Sequence, residues 1–205
     1  MVFVDHMNFE IALRQLYQKK SELTPSLDYD ALFRNVVKNR SGIDFIKAFI
    51  FAPKPDDFLM QDERLEGSYK WITQLGNKKY IDVIEGRYVA RQIDESTQMD
   101  ILNKKTYFKE EKGTDINFAV HMLSKGQYNS YDAAFAMSAD TDYITVYRQL
   151  KNMGKIVIAV AVKDQNISKI IPEVDDYIIL DEAFFNGCLR TKQTSLPLNN
   201  KKRKK

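Results

Sequence analysis

Apolar residues in this chain gather into short runs separated by stretches with helical spacing. Val2, Phe3 and Val4 form a β-prone run that ends at Asp5, which predicts a short buried strand. Phe9, Leu13 and Leu16 follow at the spacing of an amphipathic helix. Residues 45–51 read as a second buried strand, expected to end at Pro53 and Pro55 because proline donates nothing to a ladder. Leu65, Tyr69 and Ile72 mark another helix that closes near Gly76. Residues 80–93 are rich in β-formers but interrupted by Gly86, so they form one long bent strand or two short ones. Residues 94–110 carry no assignable pattern.

The second half is sharper. Lys112-Gly113-Thr114-Asp115 opens a helix with Thr114 as its expected N-cap, and Ile116, Ala119, Val120 and Leu123 form one apolar stripe. Gly126 ends it. Residues 132–137 predict a short strand, and Ser138-Ala139-Asp140-Thr141-Asp142 turns into a helix carrying Val146, Tyr147 and Leu150, which stops at Gly154. Residues 156–162 are entirely apolar, the mark of a central parallel strand, and residues 177–180 predict a last one. Strands alternating with helices imply right-handed crossovers and a three-layer α/β/α domain with a mostly parallel sheet. Apolar content falls after Gly187, so residues 1–186 read as the domain and 187–205 as a basic, disordered tail.

In such sheets the working residues lie at the C-terminal strand ends. There the chain places acids: Asp5 and Asn8 after the first strand, Asp140 and Asp142 after the strand at 132–137, and Asp115 in a first helical turn. Each also has an ordinary reading as a helix cap or turn former. If they converge, two carboxylates ~4 Å apart repel by about 4 kcal/mol at an effective dielectric of 20. A shared proton relieves this, and so does a hard divalent cation. With one cysteine and two histidines in the chain, oxygen ligands for Mg²⁺ or Mn²⁺ match better than a zinc centre.

Charge and composition narrow the class. Of 31 lysines and arginines, five fall in the final run, Lys201 to Lys205, which leaves 26 against 28 acidic residues elsewhere. The body is slightly acidic, and the cationic run suits nucleic-acid phosphates, an anionic surface or an import signal. No apolar run is long enough to span a bilayer, and the N-terminus lacks a signal-peptide pattern, so a soluble cytoplasmic protein is expected.

At these residues the chain resembles the NYN domain family, PIN-like nucleases that include the LabA-like proteins. Asp5-His6-Met7-Asn8 resembles the family's Asp-x-x-Asn, Lys112-Gly113-Thr114-Asp115 its Lys-Gly-x-Asp, and Ser138-Ala139-Asp140-Thr141-Asp142-Tyr143 its Ser-Gly-Asp-Ser-Asp-Phe turn. The strand ending at Gly86, the Gly154-Lys155 pair and Asp176-Tyr177-Ile178-Ile179-Leu180 also fit. The resemblance implies a PIN-like fold and Mg²⁺- or Mn²⁺-dependent cleavage of single-stranded RNA. It makes Asp5, Asp115, Asp140 and Asp142 metal-binding carboxylates, with Asn8 and Thr141 orienting them or touching the phosphate. Lys112 would stand near the phosphodiester or tie down a carboxylate, and Asp176 would be structural. PIN-like proteins often pair, which leaves a homodimer open.

Three departures stand out: Ala139 for glycine, Tyr143 for phenylalanine, and His121 where many relatives carry aspartate. Six helical residues turn about 600°, so His121 does not share a face with Asp115. It reads as a packed neutral histidine or as the mark of a weakened site. Two function classes therefore stay open, a metal-dependent ribonuclease and a non-catalytic regulator or RNA-binding module on the same scaffold. A dehalogenase-type phosphohydrolase needs Asp-x-Asp on its first strand, and Met7 stands in that place. No Gly-x-Gly-x-x-Gly follows any strand, which argues against dinucleotide binding.

Overall fold

Val2, Phe3 and Val4 are fully shielded from solvent, as a run apolar on both faces requires, and form the central strand β1 (Val2–Asp5). The structure, a computed structural model, describes residues 1–190. Six further strands are β2 (Ala48–Pro55), β3 (Ile81–Gln92), β4 (Tyr107–Lys112), β5 (Ala133–Met137), β6 (Ile156–Val162) and β7 (Asp176–Leu180). They form one sheet in the order β4-β3-β2-β1-β5-β6-β7, parallel throughout except for the antiparallel β3–β4 pair.

Alternate residues of the sheet feed two cores. Val2, Val4 and Ile50 face the helices α1 (His6–Gln18), α2 (Tyr29–Lys38) and α3 (Glu63–Leu75), together with Phe185 of the short α6 (Glu182–Asn186). Phe3, Phe49 and Phe51 face α4 (Thr114–Gln127) and α5 (Ile144–Asn152). Three layers result, the α/β/α architecture of a PIN-like domain.

Several local expectations change. β2 begins at Ala48 and runs through Pro53 to Pro55. Beyond Phe51 it pairs only with β3, because β1 ends at Asp5, so those prolines occupy a strand with one free side, where a missing donor costs nothing. Residues 81–92 are one strand, and part of the unassigned stretch 94–110 forms the start of β4.

At the start of α4 the N-cap is Gly113, in the left-handed region at φ 81°, and Thr114 is the first helical residue. The buried face of α4 is Thr114, Phe118, Met122 and Gly126, whereas Ile116 and Val120 of the expected stripe are exposed. The larger ring of Phe118, seated against Phe3 and Phe51, sets the rotation of the helix. At the far end Cys188 is buried and Leu189 bridges to Leu27, so residues 187–190 lie against the domain. The basic run at 201–205 lies outside the described residues.

Candidate active site

Asp5 closes β1 and caps α1, accepting from the Asn8 amide at 3.1 Å. Beside it, β5 ends at Met137, the register partner of Val4, so Ser138 comes level with Asp5. The Ser138 hydroxyl donates to Asp5 Oδ2 at 3.1 Å and accepts from the Asp140 amide at 3.1 Å. One hydroxyl therefore links the two strand-end acids. Asp140 in turn caps the 3-10 turn Thr141–Tyr143, accepting from the Asp142 amide at 2.9 Å. Asn8 fastens this turn from the other side: its Oδ1 accepts from the Ala139 amide at 3.1 Å and from Gln165 Nε2 at 2.8 Å. Thr141 and Asp142 are exposed.

Asp115 reaches the same edge by a different route. β4 runs antiparallel to β3 and ends with Lys112 opposite Arg87, so α4 starts beside Gly86, two residues past Ile84 in the row that holds Asp5 and Phe51. A Cβ on Gly86 would stand 2.1 Å from Thr114 Oγ1 and 2.8 Å from the Thr114 amide nitrogen. Glycine is what lets the helix come this close to the strand. The Tyr143 hydroxyl then crosses from the 3-10 turn to donate to Asp115 Oδ1 at 2.7 Å.

The charges feel one another. Burial above all raises the Asp5 carboxyl from 3.8 to about 6, the negative charges of Asp115 and Glu111 add to the rise, and its two hydrogen bonds oppose it. Glu111 is also pushed up, by lost solvation first and by repulsion from Asp115. The Tyr143 phenol is held protonated well above its usual range, by burial first and then by Asp5, Asp115 and Asp140. Among the described residues none of Asp5, Glu111, Asp115, Asp140 and Asp142 forms an ion pair.

Lys112 does not supply the missing cation. Its ammonium pairs with Glu110 at 3.2 Å, because strand alternation turns 110 and 112 to one face of β4 and Glu111 to the other. Glu111 and Gln165 are thus the site residues that sequence reading passed over, and Ser138 and Tyr143 are motif positions whose hydroxyl roles it does not show. Alternation along β4 would have pointed to Glu111 had that strand been legible. His121 is half-buried, packs its ring on Phe51 at 5.4 Å and uses Nδ1 on the Asn117 carbonyl at 2.8 Å, a packed histidine. Asp176 pairs with Arg40, away from the site, as a structural role requires.

Among the described residues no three Asp, Glu, His or Cys side chains stand close enough to hold a metal ion as they are. The donor chemistry nevertheless suits a hard cation. All donors are carboxylate oxygens without a counter-charge, and Mg²⁺ needs only one or two of them, keeping waters in its other positions. The Tyr147 hydroxyl, electrostatically coupled to Asp140 and Asp5, is buried with no hydrogen-bond partner among the described residues, an atom that a bound water would satisfy.

No curated protein matches the chain. Among solved structures, a protein of unknown function from Vibrio parahaemolyticus is similar in fold, with a TM-score of 0.53 at 14% identity over 92% of this chain and 94% of that one. No helix among the described residues is long and apolar enough to cross a membrane. The NYN domain model matches residues 1–182, a span that holds every acid of the strand-end cluster, and the chain belongs to the NYN family, with its nuclease-type PIN-like fold.

Proposed function

We propose that this chain is a Mg²⁺- or Mn²⁺-dependent ribonuclease that hydrolyses phosphodiester bonds of single-stranded RNA. One observation supports this above others: acids from β1, the β5 turn and the start of α4 are electrostatically coupled at one sheet edge without any cationic partner among the described residues. Asp5, Asp115 and Asp140 would hold the cation, with Asp142 beside them. When bound, such an ion acidifies a water and offsets charge on the leaving oxygen. The chain's own residues prepare the place. Ser138 and Asn8 fix the Asp140 turn relative to Asp5, and Tyr143 holds Asp115 in one orientation.

A non-catalytic, RNA-binding use of the scaffold is the second reading, favoured by the lack of a ready three-ligand cluster among the described residues. Cleavage of an unstructured RNA in Mn²⁺ by the native chain, lost in Asp140→Asn, supports the nuclease. Binding without cleavage supports the second reading.

A further inference from the structure

Beyond Ile84, which is level with Asp5, β3 continues eight residues to Gln92 and carries β4 with it. At about 3.3 Å per residue this arm rises roughly 26 Å past the acidic edge. Its lower face is set by register: Tyr88 pairs with Glu111, and Lys109 lies on the same side of β4 as Glu111. Glu111 is coupled to Asp5. Tyr88 and Lys109 border a cleft of about 180 Å³ whose other walls include Pro53, Pro55, Tyr69 and His6, the residue after Asp5. The cleft is therefore tied to the acid cluster at two points, His6 next to Asp5 in sequence and Tyr88 opposite Glu111 in the ladder.

Its chemistry is that of a stacking site with a cation at the rim. A cavity of about 150 Å³ already admits a benzene ring, so this one takes a single planar heterocycle. Tyr88 and the prolines offer flat apolar surfaces. The Lys109 ammonium lies 5.5 Å from the Tyr88 ring centroid and forms no ion pair among the described residues. His6 is buried, and its Nδ1 has no hydrogen-bond partner among the described residues. Resting on the ribonuclease reading, we propose that this cleft receives one unpaired nucleobase of the RNA next to the scissile phosphate, stacked on Tyr88, while Lys109 contacts a flanking phosphate.

Base stacking and phosphate contact separate by probe. Binding is measured by fluorescence anisotropy, without divalent metal, for a short oligoadenylate and for heparin, a polyanion without bases. Tyr88→Ala should weaken oligoadenylate binding about tenfold and leave heparin unchanged, and Tyr88→Phe should restore it. Lys109→Ala should weaken both. Ser68→Trp, which adds bulk at the cleft wall from an exposed position on α3 and removes no core contact, should repeat the Tyr88→Ala result even if that variant folds poorly. Oligoadenylate binding unchanged in both Tyr88→Ala and Ser68→Trp, or heparin binding lost alongside it, overturns the base site. The ribonuclease reading is scored separately, by Mn²⁺-dependent cleavage and its loss in Asp140→Asn. Cleavage with an indifferent cleft removes only the base site, and base-dependent binding without cleavage removes only the hydrolysis.

Discussion

Tyr143 donates its hydroxyl to Asp115 across 2.7 Å, joining the turn after β5 to the first turn of α4. The family resemblance places phenylalanine at this position, so Tyr143→Phe keeps the ring, which stacks on Phe118 at 4.3 Å, and removes only the donor. Partners that orient a metal-ligating group are typically worth 10–100-fold in metal affinity. Mn²⁺ titration calorimetry should therefore show Tyr143→Phe binding about tenfold more weakly than the native chain. Equal affinity would mean that Asp115 is held by something else.

Asp5 carries a pH signature. Its carboxyl titrates near 3.8 when unfolded and at about 6 in the fold, so the fold prefers the protonated form. Its contribution to stability is complete below about pH 4 and is lost as pH rises through about 6, at a cost of about 3 kcal/mol by neutrality. His6 acts with the opposite sign: burial lowers it to about 4, and stability is lost as pH falls from about 6.5. Subtracting native from Asp5→Asn unfolding free energies cancels the His6 part, and asparagine still caps a helix. The variant's gain should grow by about 3 kcal/mol between about pH 4 and pH 7.5 in urea titrations. A gain that does not vary with pH would show that Asp5 titrates normally.

Gly86→Ala should cost both stability and metal affinity. The added Cβ meets the Thr114 backbone, which no rotamer change relieves, so α4 must retreat from β3 and take Asp115 with it. Overpacking of this kind costs about 1–3 kcal/mol. Thermal unfolding with and without Mn²⁺ measures both effects, and a variant that keeps the native Mn²⁺-induced rise in Tm would place Asp115 outside the binding set.

The sheet was legible where burial acts on both faces. The runs 2–5 and 156–162 have no alternative to a central strand, and their ends locate Asp5 and the edge itself. The helix at α4 was legible as a helix but not in its rotation. Ile116 and Val120 fit a 3.6-residue stripe as well as Phe118 and Met122 do, and packing against Phe3 and Phe51 made the choice. The β2 prolines misled because a ladder with one free side cannot be seen before strand order is known. The site shows the same division. Asp5, Asp115 and Asp140 were readable from strand ends and motif, whereas Ser138 and Tyr143 fall in the motif but act through hydroxyls that cross elements, a role that no spacing reveals.

Glu111 and Lys112 test that division most directly, since they are adjacent in sequence and opposite in placement. Lys112 belongs to the motif, yet its ammonium serves Glu110 on the outer face of β4. Glu111 lies in register with Tyr88 and presses its charge on Asp5 and Asp115. Removing that charge should relieve Asp5, whose carboxyl then titrates below about 6, and should deprive a bound cation of one attractive neighbour. Neither side chain belongs to a hydrophobic core, so neither substitution opens a cavity there. Glu111→Gln should therefore lower the Asp5 midpoint in carboxyl-detected NMR titration and weaken Mn²⁺ binding severalfold, while Lys112→Ala should leave both within about twofold of native. If Lys112→Ala instead proves the more damaging change, the lysine swings inward when the site is in use, and its motif role is restored over its pairing with Glu110.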